Sequence, residues 1–187
     1  MTRKARSGYF AEGITLEVTP EGRAWARAVT EAVMASGATE KHVTTWWNAY
    51  EVNLFGRYAE HGFASWLGLA DLLPSPAQAI SQPNDGGQDL PGIGIKCALW
   101  QQAAHMFTCQ GGRLIVPTRL MTADLYVRCS WFSQGQLLIF DGWATADMIK
   151  AAPLLTSNQG KPARELPFSA LLLPRAFVTE RELTPWA

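Results

Sequence analysis

The fold of this chain is decided by one octapeptide, Asp89-Leu90-Pro91-Gly92-Ile93-Gly94-Ile95-Lys96. Pro-Gly is typical of a tight turn, and apolar residues alternate after it with the period of a β-strand as far as Trp100. Because the turn reverses the chain, we expect Asp89 and Lys96 on neighbouring strands. A carboxylate beside an ammonium group can hold a divalent metal ion and polarise a phosphate.

Two helices are predicted upstream of the octapeptide. Thr19-Pro20-Glu21 has the residues of a helix start, and this helix is expected to end near Gly37. Thr39 is expected to cap a second, longer helix from Glu40 to about Gly62. Residues 63–73 are apolar and fit either a strand or a short helix, and residues 74–88 form a loop that leads into Asp89.

Short strands are predicted downstream of the octapeptide. Residues 114–117, 125–132 and 136–140 have strand patterns, and the last two are joined by a tight turn that predicts a hairpin. Asp141-Gly142-Trp143 is interpreted as a turn with a packed tryptophan, Thr145 as the cap of a short helix, and residues 170–173 as a strand.

This order of elements predicts an α/β fold, with a central mixed β-sheet flanked by helices and an N-terminal helical segment. The length of 187 residues fits one domain. Within it we expect an N-terminal extension and helix at 1–38, a core at 39–174 and a tail at 175–187.

Composition excludes several classes of protein. Sixteen basic and sixteen acidic residues cancel, so a general electrostatic affinity for nucleic acid is not expected. Three scattered cysteines argue against a disulfide framework and a zinc knuckle. There is no P-loop, Rossmann glycine pattern or nucleophile elbow. No apolar run is long enough for a membrane span, and the basic N-terminus lacks the apolar region of a secretory signal, so we expect a cytoplasmic protein.

A second carboxylate is available for metal chemistry. Hydrolysis of a phosphodiester needs a metal ion to neutralise charge and to generate hydroxide, and Mg²⁺ prefers carboxylate oxygens with water and phosphate. Glu51 lies on the predicted long helix beside its apolar stripe. A glutamate so placed must be paired, act as a cap or have a function, because burying it unpaired is costly.

The motifs together resemble the PD-(D/E)xK nuclease superfamily, in particular its small phage-encoded members. The resemblance runs from about Thr44 to Pro174. It rests on a helix that carries Glu51, on the octapeptide, and on two later segments, Asp124-Leu-Tyr-Val-Arg-Cys129 and Phe140-Asp-Gly-Trp-Ala-Thr145.

The resemblance implies a restriction-endonuclease-like fold and Mg²⁺- or Mn²⁺-dependent hydrolysis of DNA in a bacterial host cell, by a phage- or prophage-encoded enzyme. It implies that Glu51 and Asp89 hold the metal ion, that the Ile95 carbonyl adds a ligand, and that Lys96 is the catalytic lysine. Gln101 and Arg113 are further candidates for contacts with DNA, a polar strand end being the alternative for Gln101.

Gly94 departs from the family pattern, because an acidic residue is expected there. Either Asp85 or Glu51 replaces the missing ligand, or the site no longer cleaves. The alternative function is therefore an inactive nuclease-fold module that binds a partner. A second copy of the chain and a phage or host protein are the partners left open.

Overall fold

The computed structural model describes residues 12–37, 47–81, 88–102, 106, 112–156 and 161–177. Its helices are α1 (Pro20–Ala35), α2 (Ala49–Leu67), α3 (Pro76–Ser81) and α4 (Ala146–Ala151). Its strands are β1 (Ile14–Leu16), β2 (Ile93–Trp100), β3 (Arg113–Pro117), β4 (Leu125–Phe132), β5 (Leu137–Thr145), β6 (Leu154–Thr156) and β7 (Pro162–Pro167). Short 3₁₀ helices cover Ala70–Leu72, Thr118–Leu120 and Phe168–Ala170.

The strands form two sheets. Sheet A has the order β1-β5-β4-β2; β2 runs parallel to β4, and the other neighbours are antiparallel. Sheet B is antiparallel, with the order β3-β7-β6. The prediction of an α/β fold with a mixed sheet is confirmed, whereas the second sheet was not foreseen. In this sheet Arg113 of β3 pairs with Pro167 of β7, 54 residues later, and local patterns do not reveal such a pairing.

Helix α1 begins as its sequence predicts. The Thr19 side chain accepts a hydrogen bond from Gly22 N at 3.1 Å, and Pro20 is the first helical residue. Gly22 also lets α1 approach α2 closely, since a Cβ there would lie 2.4 Å from Nδ1 of His61. The pairing of the two helices therefore depends on a small residue at the crossing.

Helix α2 differs from its prediction at both ends: it begins at Ala49, after the N-cap Asn48, instead of continuing unbroken from Glu40. It ends at Leu67 and is capped by Gly68, which has the left-handed conformation with φ 72°. Gly62 remains helical and faces the sheet, because a Cβ there would lie 2.6 Å from Cδ2 of Leu138. The glycine serves close packing rather than helix termination. The predicted cap Thr39 and residues 38–46 lie outside the described residues.

The main core lies between α2 and sheet A. Tyr58 and Phe63 of α2 are buried, with their rings 5.2 Å from Trp131 and 5.1 Å from Phe140, respectively. Strands β4 and β5 are almost wholly buried along their length. Such burial explains why both strands are strongly apolar in sequence.

Two downstream predictions are wrong. Asp141-Gly142-Trp143 continues β5 instead of forming a turn, and residues 170–173 form no regular strand. The two segments meet: Trp143 N donates to Leu172 O at 3.0 Å, and Leu172 N donates to Trp143 O at 2.8 Å. The strand signal of residues 170–173 thus corresponds to a single isolated bridge. Among the described helices, none has the length and apolarity needed to span a membrane.

Candidate functional site

Asp89 folds back against the edge of β2. The turn is closed by a hydrogen bond from Ile93 N to Leu90 O at 2.9 Å, and Gly92 supplies the positive φ of 72°. Oδ2 of Asp89 then accepts a hydrogen bond from Ile95 N at 2.5 Å and lies 3.6 Å from Nζ of Lys96. The octapeptide therefore brings its carboxylate and its ammonium group together at the end of sheet A.

The Ile95 carbonyl lies on the same side of β2 as Asp89. The N–H and C=O groups of one strand residue point to the same side of the strand, and the N–H of Ile95 points to Asp89. Within the described residues, β2 pairs with a full strand only on its other side, where β4 lies. The carbonyl that the sequence resemblance assigns to a metal ion thus lies on the same side of β2 as the Asp89 carboxylate.

A second carboxylate, that of Glu60 on α2, interacts electrostatically with this pair. Glu60 is buried and forms an ion pair with Arg57 one turn earlier. Burial raises the pKa of Glu60 to about 7; the Arg57 guanidinium opposes the rise, and the Asp89 carboxylate adds to it. Lys96 also acts on this carboxyl group and lowers its pKa. Asp89 and Lys96 thus both influence the Glu60 carboxyl group, and we call these three residues the edge site.

Glu51 has a different position and role. It is the third residue of α2, and its side chain accepts a hydrogen bond from Asn48 N at 3.0 Å, while Glu51 N donates to Oδ1 of Asn48 at 2.9 Å. This reciprocal pair is a capping box. Nine residues separate Glu51 from Glu60, which is about two and a half turns and about 13 Å along the helix, on its opposite side. Glu51 therefore lies on the opposite side of α2 from Glu60, and its assignment to a metal ion stays a prediction.

The sequence carried a signal for Glu60. Residues at three, four and seven positions after it, Phe63, Ala64 and Leu67, are all buried, so Glu60 lies on the apolar face of α2. Because Gly62 is interpreted as the helix end, the predicted apolar face leaves out Phe63, Ala64 and Leu67. A longer helix would have singled out Glu60 as the charged residue among core positions.

The other predicted residues are distributed along β2 and β3. Gly94 is buried next to Ile95, and Asp85 lies outside the described residues. Gln101 follows β2, where its carbonyl accepts a hydrogen bond from Gln134 N at 3.3 Å. Arg113 begins β3, with its side chain 56% exposed and paired with Glu165 at 2.7 Å. Arg113 is therefore accessible to solvent. The Gln101 backbone is held against the turn between β4 and β5.

A buried polar network lies beside the edge site. Arg128 Nη1 and Ser130 Oγ both donate to Oδ2 of Asp141, at 2.8 and 2.7 Å, and Trp100 Nε1 donates to Ser130 Oγ at 3.0 Å. Asp141 is the extra residue of a β-bulge, because Arg128 pairs with Gly142 and Cys129 pairs with Phe140. Burial raises the pKa of Asp141 to about 6, and Arg128 opposes the rise.

A cleft of about 320 Å³ opens between β2 and β3 and shares Lys96 with the edge site. Its described lining includes three cations, Lys96, Arg113 and Arg128, and no acidic residue. Cys97 also lines it, and burial raises the pKa of this thiol, so the thiol stays protonated and is a poor nucleophile.

The residues of the edge site fit a hard divalent cation. In these contacts each carboxylate uses one oxygen, Oε2 of Glu60 and Oδ2 of Asp89. The donor set of two carboxylates and one carbonyl matches Mg²⁺, which keeps several waters and takes one or two carboxylates. Among the described residues, no group of three His, Cys, Asp or Glu side chains is arranged around a metal position.

Comparisons with protein-family models, with curated proteins and with solved structures give no match to this chain.

Proposed function

We propose that this protein is a metal-dependent phosphodiester hydrolase acting on DNA through Glu60, Asp89 and Lys96. The observation that supports the proposal is the electrostatic interaction of the buried Glu60 with the Asp89–Lys96 pair, which lies 29 residues later in sequence at Asp89. Two carboxylates and a lysine at the end of a sheet are the groups that phosphodiester hydrolysis requires.

Each residue has a defined part in this proposal. Glu60 and Asp89 would hold Mg²⁺ or Mn²⁺, with the Ile95 carbonyl beside them. The bound ion supplies charge neutralisation and a hydroxide nucleophile at neutral pH. Lys96, 25% exposed, would stabilise with its ammonium group the charge that develops on the phosphate.

The test is cleavage of single-stranded and plasmid DNA with Mg²⁺ or Mn²⁺ by matched variants. Glu60→Gln, Asp89→Asn and Lys96→Met should each lower the rate by at least about 100-fold, because each removes a charge that acts in the transition state. Glu51→Gln is the control on the same helix, since glutamine can also complete a capping box. Wild-type protein that cleaves no substrate with either metal, or equal losses in Glu51→Gln and Glu60→Gln, would overturn the assignment.

A second candidate is a non-cleaving interaction module on the same scaffold. It is favoured by Gly94, and by the ion pairs that Glu60 and Asp89 already form with Arg57 and Lys96. Calorimetry with Mn²⁺ separates the candidates, because a site held closed by these pairs should bind no metal. Gly94→Glu adds the acid expected from the nuclease pattern, and a gain of Mn²⁺ affinity and cleavage in this variant would indicate a decayed enzyme.

A further inference from the structure

The cleft between β2 and β3 is built by the buried polar network. Arg128 is 1% exposed and yet lines the cleft, and its guanidinium lies 4.9 Å from the centre of the Phe168 ring. A buried arginine is costly unless it is paired, and here the Asp141 bulge supplies the partner from behind. The network therefore holds the Arg128 guanidinium at the floor of the cleft, while its partner Asp141 does not line the cleft.

The same network fixes an aromatic wall. Ser130 links Asp141 to Nε1 of Trp100, which sets the orientation of the indole. Gly112 covers both groups: a Cβ there would lie 3.2 Å from the Trp100 ring and 3.4 Å from Nη2 of Arg128. A side chain at position 112 would thus crowd the ring and the guanidinium.

The mouth of the cleft adds charge and apolar surface. Arg113 and Ile115 of β3 are exposed and line the cleft, and Arg113 also pairs with Glu165. The exposed apolar side chain of Ile115 suits a flat ring, and the cations of the lining suit a phosphate. A volume of about 320 Å³ is at the lower end of the range of small-molecule sites, about 300–1,000 Å³, and is too small for a duplex.

We infer that this cleft binds one nucleotide of a single-stranded nucleic acid next to the edge site, with the base against Trp100 and the phosphate between Lys96 and Arg113. The inference rests on the proposed function for its choice of ligand, and it adds a preference for single-stranded ends. Base stacking on an aromatic side chain tolerates any base, so recognition should be independent of sequence.

The experiment measures binding without metal, so that cleavage does not enter. A fluorescein-labelled decathymidylate is titrated in EDTA, and anisotropy is followed at several salt concentrations. Arg113→Ala should weaken binding about fivefold and reduce the salt slope by about 0.7, and Trp100→Leu should weaken it about tenfold. Lys150→Ala is the matched control, since Lys150 is also an exposed cation in an ion pair but does not line the cleft.

Three results would overturn the inference: unchanged binding in Arg113→Ala, an equal loss in Lys150→Ala, or equally tight binding of a duplex with the same dependence on both cleft variants. Arg113 is exposed, so this variant stays informative if Trp100→Leu does not fold. If oligonucleotide binding depends on the cleft variants as expected but no DNA is cleaved, the proposed hydrolase is rejected and the nucleotide-binding role of the cleft is retained. If the protein cleaves DNA but neither cleft variant changes oligonucleotide binding, the nucleotide-binding role of the cleft is rejected and the proposed hydrolase is not.

Discussion

At the scale of single residues, burial separates two glutamates of one helix. Glu51 caps the N-terminus of α2, where its side chain accepts a hydrogen bond from the Asn48 backbone N–H. Glu60 is buried among core residues and has a raised pKa. The first arrangement stabilises a helix end. The second is a carboxyl group whose charged form is disfavoured by burial, and such groups are candidates for functional sites.

Asp141 is expected to be essential for stability. Asp141→Asn leaves the buried Arg128 without its counter-charge, and breaking such a pair costs about 3–5 kcal/mol. The measurement is urea unfolding at pH 7.5. Asp147→Asn removes the acid of the exposed Asp147–Lys150 pair and should change the free energy of unfolding little. Comparable effects of the two variants would show that the network contributes no stability.

Gly112 is expected to tolerate no larger residue. Its φ is 71°, and the Trp100 ring would lie 3.2 Å from an added Cβ. Gly112→Ala should lower the free energy of unfolding by about 1–3 kcal/mol, because the left-handed conformation is strained for alanine. Thermal unfolding measures the loss. Gly135→Ala is the control, with only Leu137 Cβ near its added methyl group, at 3.9 Å; an equal loss there would contradict the explanation.

At the scale of elements, local signals predicted local structure. Thr19-Pro20 marks the start of α1, Thr145 caps α4, and the Pro-Gly turn of the octapeptide brings Asp89 to Lys96. The third member of the edge site was missed because Gly62 resembles a helix stop. Its role depends on Leu138, 76 residues later, and a local pattern holds no information about that contact.

Two glycines of α2 should therefore respond oppositely to alanine. No atom outside the helix backbone lies within 4 Å of an added Cβ at Gly56, so Gly56→Ala should raise stability by about 0.5–1 kcal/mol through helix propensity. Gly62→Ala places a methyl group 2.6 Å from Leu138 and 3.3 Å from the Glu17 carbonyl, and overpacking should cost about 1–3 kcal/mol. Urea unfolding of both variants tests this prediction. A higher free energy of unfolding in Gly62→Ala would show that the helix shifts to accommodate the methyl group.

At the scale of the whole molecule, both candidate sites lie along one edge of sheet A. The edge site and the cleft share Lys96 and lie along β2, which pairs in parallel with β4. The sequence could not reveal this parallel pairing, since β3, a strand of the other sheet, lies between β2 and β4 in sequence. Tertiary contacts thus join motifs that the sequence separates.

The raised pKa of Glu60 should make the free energy of unfolding depend on pH. Its pKa is about 7 in the folded protein, above the ordinary value of 4.5, so the folded state binds the proton more tightly than the unfolded state. The contribution of Glu60 is therefore fully present below pH 4.5 and is lost as the pH rises through about 7, a change of about 3 kcal/mol. Relative to Glu60→Gln, wild-type protein in EDTA should become steadily less stable from pH 5 to pH 8.

Metal binding should reverse this loss. A cation that binds the ionised carboxylates stabilises only the folded state, so Mn²⁺ at pH 8 should raise the free energy of unfolding of wild-type protein, by about 2.7 kcal/mol at a hundredfold excess over its dissociation constant. Glu51→Gln should behave like wild type, and Glu60→Gln should show neither the pH loss nor the Mn²⁺ gain. Urea unfolding at four pH values, with EDTA or Mn²⁺, measures both effects. A pH loss without a Mn²⁺ gain would identify Glu60 as a buried acid of the core and would remove it from the metal site.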